Sequence, residues 1–280
     1  MQENAERDLR EDDRNAACRG CLKKEEMMMK NMVQSFVVAF SMYSKLPMPR
    51  VEWNDKNMKY CICYFPLIGA VIGLLLNGWY ALADLAGFGL LFRTAVLVLI
   101  PVAVTGGIHL DGLLDTADAL SSYKSKEEKL EILKDSHAGA FAIIMGIAYF
   151  ILTLGVYSEA EGRHLQVIGL GFVLSRALSG LALVSFQKAK NTGLLRTFAD
   201  AAANRKVAFF MTLYLILTGA GMLVLDVKLG AAAIGAALLV FWWYRSMAYR
   251  KFGGITGDLA GCFVQVCELA VALAVVLAGR

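Results

Sequence analysis

Asp111, Asp115 and Asp118 stand at i, i+4 and i+7 within the segment Thr105-Gly106-Gly107-Ile108-His109-Leu110-Asp111-Gly112-Leu113-Leu114-Asp115-Thr116-Ala117-Asp118. On a helix turning 100° per residue, that spacing places the three carboxylates in a stripe about 60° wide. Carboxylates held so close repel each other unless a cation joins them. A set of hard oxygen donors with no thiolate or imidazole cluster beside it selects Mg²⁺ or Mn²⁺ over zinc. No lysine stands four residues on to pair with any of the three, and Leu113, Leu114 and Ala117 lie between them. A solvated helix face is the competing account, and it leaves this composition unexplained. The expectation is a metal site at Asp111, Asp115 and Asp118 with Mg²⁺ as the cofactor.

His109 lies about 160° from the stripe if the helix is continuous. It can act as a general base only if Gly106-Gly107 breaks that helix; an interfacial histidine is the alternative. Asp135, in Lys134-Asp135-Ser136-His137, is either a further site residue or, like Ser136, the cap of the next helix. Asp258, in Gly253-Gly254-Ile255-Thr256-Gly257-Asp258, is either an N-cap or a metal or substrate contact from across the bundle. Lys188, Lys190, Arg196 and Arg205 flank Asn191-Thr192-Gly193-Leu194 and suit a polyanionic substrate, though the excess of basic residues in cytoplasmic loops alone also accounts for them.

These residues must be positioned by helices in lipid. Of 280 residues, 58% are apolar and 19% charged, with a mean hydropathy of +0.54. A soluble domain carries about a quarter charged residues. Long apolar runs fall at about 60–83, 88–110, 138–157, 165–186, 207–225, 229–247 and 258–279. Each reaches the roughly 20 residues that a membrane-crossing helix needs. The predicted fold is therefore an all-α, polytopic transmembrane bundle of seven spans, with six or eight as the bounds. A shorter segment at about 32–44, ending at Pro47 and Pro49, is expected to lie at the interface or to re-enter shallowly.

Two ionisable residues fall deep inside these runs, Arg176 in 165–186 and Glu268 in 258–279. Charges at that depth face the bundle interior and find partners. A shared polar cavity is the expectation for both, as a substrate site or as a structural ion pair. Residues 1–30 form a charged segment without an apolar core, read as a flexible tail and not a signal peptide. Residues 31–280 then make a single transmembrane domain. Cys18 and Cys21 are a lone pair in that tail, too few ligands for a tetrahedral zinc site.

Orientation follows from Lys and Arg. With the amino terminus inside, the inner loops hold Lys124, Lys126, Lys129 and Lys134, then Lys188, Lys190, Arg196, Arg205 and Lys206, then Arg245, Arg250 and Lys251. The outer connections hold one each, Arg93, Arg163 and Lys228. The positive-inside rule thus predicts a cytoplasmic amino terminus and an active site facing the cytoplasm.

Taken together, Tyr64-Phe65-Pro66-Leu67-Ile68-Gly69, the aspartate segment 106–118, Lys134-Asp135-Ser136 through Phe141, Ser175-Arg176 and Gly254-Ile255-Thr256-Gly257-Asp258 resemble the cobalamin synthase family, the adenosylcobinamide-GDP ribazoletransferases. The likeness covers about residues 32–279 and departs at Ala119 and at Ser136-His137. It implies that α-ribazole, or its 5′-phosphate, joins adenosylcobinamide-GDP with release of GMP, using Mg²⁺ at the cytoplasmic (inner) membrane. Its partners would be those small molecules and the lipid bilayer, not nucleic acid, with a homo-oligomer left open. In that reading Asp111, Asp115 and Asp118 hold the metal, and His109, Asp135 and Asp258 stand nearest the chemistry. Arg176, Lys188, Lys190, Arg196 and Glu268 contact substrate. Two other readings stand beside it: a membrane enzyme like the CDP-alcohol phosphotransferases, and a cation-coupled transporter using the same buried charges.

Overall fold

A computed structural model describes residues 29–135, 137–189 and 204–280, and its regular structure is helical apart from one isolated bridge between Lys188 and Ile255. Helix α1 covers residues 29–43, so Met29 and Lys30 of the expected tail already belong to it. A short α2 (Asp55–Met58) and a 3₁₀ turn (Cys61–Tyr64) lead into α3 (Phe65–Leu85). Then come α4 (Leu90–Thr105), α5 (Ile108–Ser121), α6 (Lys126–Ile132), α7 (Ala140–Ser158) and α8 (Arg163–Ser185). The chain closes with α9 (Asn204–Leu225), α10 (Val227–Phe252) and α11 (Gly257–Gly279).

Six helices are long and apolar enough to cross a bilayer, the first of them counted with its preceding 3₁₀ turn as Cys61–Leu85. They match six of the seven expected spans. The remaining one, expected at 88–110 and running on into the aspartates, is a broken pair. Helix α4 stops at Thr105, and α5 departs from it at 94°. Gly106 and Gly107 both take left-handed conformations, φ +66° and +80°, which glycine adopts without a Cβ penalty. The 16 residues of α4 cover about 24 Å.

The helices pack where side chains are absent. Gly69 and Gly73 of α3 meet the backbone of Phe172 and Gly169 on α8, with Gly169 O 2.5 Å from where a Cβ on Gly73 would sit. Small residues spaced by four let membrane helices approach this closely. Asn77 adds a hydrogen bond from its side-chain amide to the Leu165 carbonyl, 3.1 Å. Helix α8 is the most enclosed of the six and forms the hub, with α3, α9 and α11 against it. The outer faces carry exposed Leu74 and Leu82, Ile144 and Ile151, Ile216 and Leu217, and Leu239 and Trp242. Apolar area on that scale belongs against lipid, not water.

Polar contacts sort the loops to the two ends of the bundle. The chain after α1 joins the end of α4 through Lys45 N–H to Val104 O, 2.8 Å. The end of α8 joins the start of α11 through Ile255 N–H to Gln187 O and Ala189 N–H to Ile255 O, 2.9 and 3.0 Å. Asp118 meets the start of α7 at that same end. At the opposite end, the carboxyl-terminal Arg280 pairs with Glu159 at 2.7 Å. The segment expected at the interface, α1, packs Val38, Ala39 and Phe40 into the bundle.

Candidate active site

Helix α5 turns away from α4 and lies against the start of α11 and against α7. Its contact with α11 is backbone on backbone. A Cβ on Gly112 would fall 2.5 Å from the Asp258 carbonyl oxygen, and one on Gly261 3.1 Å from the His109 carbonyl. These glycines bring the stripe of α5 beside the first turn of α11. Asp258 therefore joins the three aspartates: the charges of Asp111, Asp258 and Asp118 all bear on Asp115. Asp111 is exposed, and Asp115, Asp118 and Asp258 are half-buried. The N-cap of α11 is Thr256, whose hydroxyl accepts the Leu259 N–H at 3.2 Å, so Asp258 sits one residue inside the helix.

Asp118 plays a part that its spacing conceals. Its carboxylate accepts the N–H groups of Gly139 and Ala142 at 2.6 and 2.9 Å. It thereby caps α7 from 21 positions away, where the sequence pointed to Asp135 or Ser136. Gly139 makes the approach feasible, since a Cβ there would lie 2.7 Å from the carboxylate oxygens. Asp135 is exposed and turned locally: its carboxylate meets Nδ1 of His137 at 2.7 Å and accepts the His137 N–H at 3.0 Å. Those bonds hold its carboxyl below the usual carboxylate range. It does not line the cavity beside the aspartates. Ser136 lies outside the described residues.

That cavity, about 220 Å³, opens beside Asp111, Asp258 and Gly257. Its buried walls are Ile62, Phe65, Leu183, Ile255 and Val264, with His109, Ser179 and Gly180. His109 stacks on Tyr43 at 6.3 Å and edge-on to Phe65 at 5.6 Å, centroid to centroid. The Gly106-Gly107 break is present, but it precedes both His109 and the aspartates, so one helix still carries them on opposite sides. Nε2 of His109 is buried with no hydrogen-bond partner among the described residues.

Beneath His109 and Phe65 lies the expected pair. Arg176 Nη1 meets Glu268 Oε1 at 2.6 Å, and Ser175 Oγ donates to the same oxygen at 3.1 Å. Both charged side chains are buried, and neither lines the larger cavity. Glu268 instead borders a water-sized void of about 10 Å³ with Tyr149, Thr153 and Gln265. Lys188 is bridged to Ile255 beside the cavity wall. Lys190 and Arg196 lie outside the described residues, as do residues 1–28 with Cys18 and Cys21.

Among the described residues, no three His, Cys, Asp or Glu side chains are arranged as a ready-made metal cage. The donor set still fits a hard cation. Asp111 and Asp258 stand at the cavity mouth, their charges and that of Asp118 bear on Asp115, and Asp118 is used in part as a helix cap. Mg²⁺ commonly takes one or two carboxylates and fills its shell with water and substrate phosphates.

Fold and site together define a polytopic helical membrane protein with an acidic site set over an apolar cavity. The chain belongs to the cobalamin-5-phosphate synthase family, whose model matches residues 35–276. An adenosylcobinamide-GDP ribazoletransferase of Lachnoclostridium phytofermentans is 49% identical over 88% of this chain and 94% of its own. Proteins of the same description from Treponema denticola and Clostridium botulinum (strain Eklund 17B / Type B) are 33% and 32% identical, over 85% and 86% of this chain and 96% of each relative. No solved structure matches the chain.

Proposed function

We propose that this protein joins α-ribazole, or its 5′-phosphate, to adenosylcobinamide-GDP, with release of GMP. A ribose hydroxyl attacks the phosphorus on the corrinoid side of the diphosphate. The bond from that phosphorus to the bridging oxygen breaks, and GMP leaves with that oxygen. The hydroxyl proton passes to a carboxylate. One observation carries this reading: Asp111 and Asp258, from two helices, meet at the mouth of a cavity with Asp115 under the charge of both, in a chain 49% identical to a protein described by that activity.

Such transfers depend on holding the two groups in line and neutralising charge as it builds. Asp111 and Asp115 are the residues that would hold Mg²⁺. When bound, the ion supplies positive charge to the diphosphate oxygens. Asp258, across from them on α11, is the proton acceptor in this proposal. Asp118 fixes the start of α7 against α5 and so positions the other three. Arg176 and Glu268 anchor α8 to α11 below the cavity, in place of the substrate contact expected of them. Lys188, next to Ile255, and the basic residues Lys190 and Arg196 remain the candidates for phosphate oxygens.

The Lys- and Arg-rich loops lie at the same end of the bundle as the aspartates, which supports a site facing the cytoplasm of the inner membrane. The direct test is GMP release by purified protein given adenosylcobinamide-GDP and α-ribazole, with and without Mg²⁺. Release that needs both substrates supports the reading. Ion-driven uptake into sealed vesicles with no GMP would replace it with the transporter.

A further inference from the structure

The cavity has room for one modest, flat group. An apolar cavity of about 150 Å³ accommodates benzene, so a volume of about 220 Å³ suits two fused rings. A corrin macrocycle is several times too large. The walls separate the remaining choices. Ile62, Phe65, Leu183, Ile255 and Val264 are apolar and buried, and above them only Tyr43, Ser179 and His109 add polar side chains to the walls inside the mouth. A guanine base carries donors and acceptors along two edges, and burying them unpaired would cost a few kcal/mol each. The benzimidazole of a ribazole is two fused rings. Joined to ribose through one nitrogen, it keeps a single acceptor, the other ring nitrogen.

His109 offers a donor already set in place. Nε2 of His109 is buried without a partner among the described residues, although a buried polar atom nearly always has one. The ring is held between Tyr43 and Phe65, so its direction is set before any ligand arrives. We infer that this cavity takes the benzimidazole base of the ribazole, with His109 Nε2–H donating to the free ring nitrogen. The inference rests on the transfer reaction proposed above. The ribose then emerges at the mouth beside Asp111 and Asp258, and the corrinoid stays outside the cavity. His109 thus becomes a specificity residue for the nucleoside, and the proton goes to Asp258.

The test uses full-length protein in lipid nanodiscs and two probes, 1-methylbenzimidazole and 1-methylindole, which share a shape and differ in the ring acceptor. In GMP-release kinetics, 1-methylbenzimidazole should compete with α-ribazole and not with adenosylcobinamide-GDP. 1-Methylindole should bind about tenfold more weakly, the loss of one net hydrogen bond. His109→Phe should raise the KM for α-ribazole, erase the preference between the probes and leave the KM for adenosylcobinamide-GDP unchanged. Leu183→Phe, which narrows the cavity, should weaken both probes together by roughly ten-fold or more, as steric mismatch in an apolar pocket does.

Competition with the GDP-linked substrate overturns the inference, as does a preference that survives His109→Phe. Equilibrium binding of radiolabelled 1-methylbenzimidazole separates the two readings. His109-dependent binding by a chain that releases no GMP would keep the cavity assignment and sink the reaction. Normal GMP release without competition would do the reverse.

Discussion

Arg176 on α8 and Glu268 on α11 meet at 2.6 Å although 92 positions separate them in the chain, and both are buried. Nε and Nη2 of Arg176 have no hydrogen-bond partner among the described residues. The guanidinium therefore depends on one carboxylate and on the Phe172 carbonyl, which accepts from Nη1 at 3.0 Å. Breaking a buried pair by removing one partner leaves a stranded charge and costs about 3–5 kcal/mol, whereas replacing both with apolar residues is often neutral. Glu268→Ala should lower the unfolding temperature sharply in detergent, and Arg176→Met with Glu268→Leu should recover most of the loss. If the double variant is as unstable as the single one, the pair is not what holds these helices together.

Asp111→Asn and Asp115→Asn should each reduce GMP release by about 10²- to 10³-fold, the scale seen when one charge-stabilising group is lost. Asp111 is exposed, so its variant should unfold at the wild-type temperature. Turnover near normal in either variant would take these residues out of the site.

Asp118 should behave differently from its neighbours. Its carboxylate caps α7, so Asp118→Ala should destabilise the protein by about 0.5–2 kcal/mol, the usual cost of a lost N-cap. Gly139→Ala should do the same, because its Cβ would collide with that carboxylate. Thermal unfolding of Asp111→Ala and Asp118→Ala side by side decides the matter. Equal stability would mean that Asp118 is a ligand and not a cap.

Chelation of divalent ions should stop GMP release, and Mg²⁺ or Mn²⁺ should restore it. Asp115→Asn should shift the Mg²⁺ titration to higher concentration, since a site of few carboxylates loses much with one of them. Release unaffected by chelator would remove the metal from the proposal.

Gly112 meets the Asp258 carbonyl with no space between them. Gly112→Val should push α5 from α11 and separate Asp111 and Asp115 from Asp258, lowering turnover more than it lowers the unfolding temperature. A variant with full turnover would show that the two helices need not touch.

Much of this was legible in the chain itself. Apolar runs near 20 residues can satisfy their backbone in lipid only as helices, so the bundle and most of its spans follow from length and composition. The stripe at Asp111, Asp115 and Asp118 follows from the helical period, and the need of Arg176 and Glu268 for partners follows from their depth.

Packing between distant segments decided the rest. Glycine permits a bend without requiring one, so the 94° elbow at Gly106-Gly107 became visible only with α5 seated on α11. Asp258 joined the aspartates because Gly112 and Gly261 let two backbones touch. Asp118 acts as a cap because α7 begins beside it. The cavity has no pattern along the chain at all. Its walls come from α1, the 3₁₀ turn, α3, α5, α8 and α11, and periodicity reports only which face of a helix is buried, never which other faces it will meet.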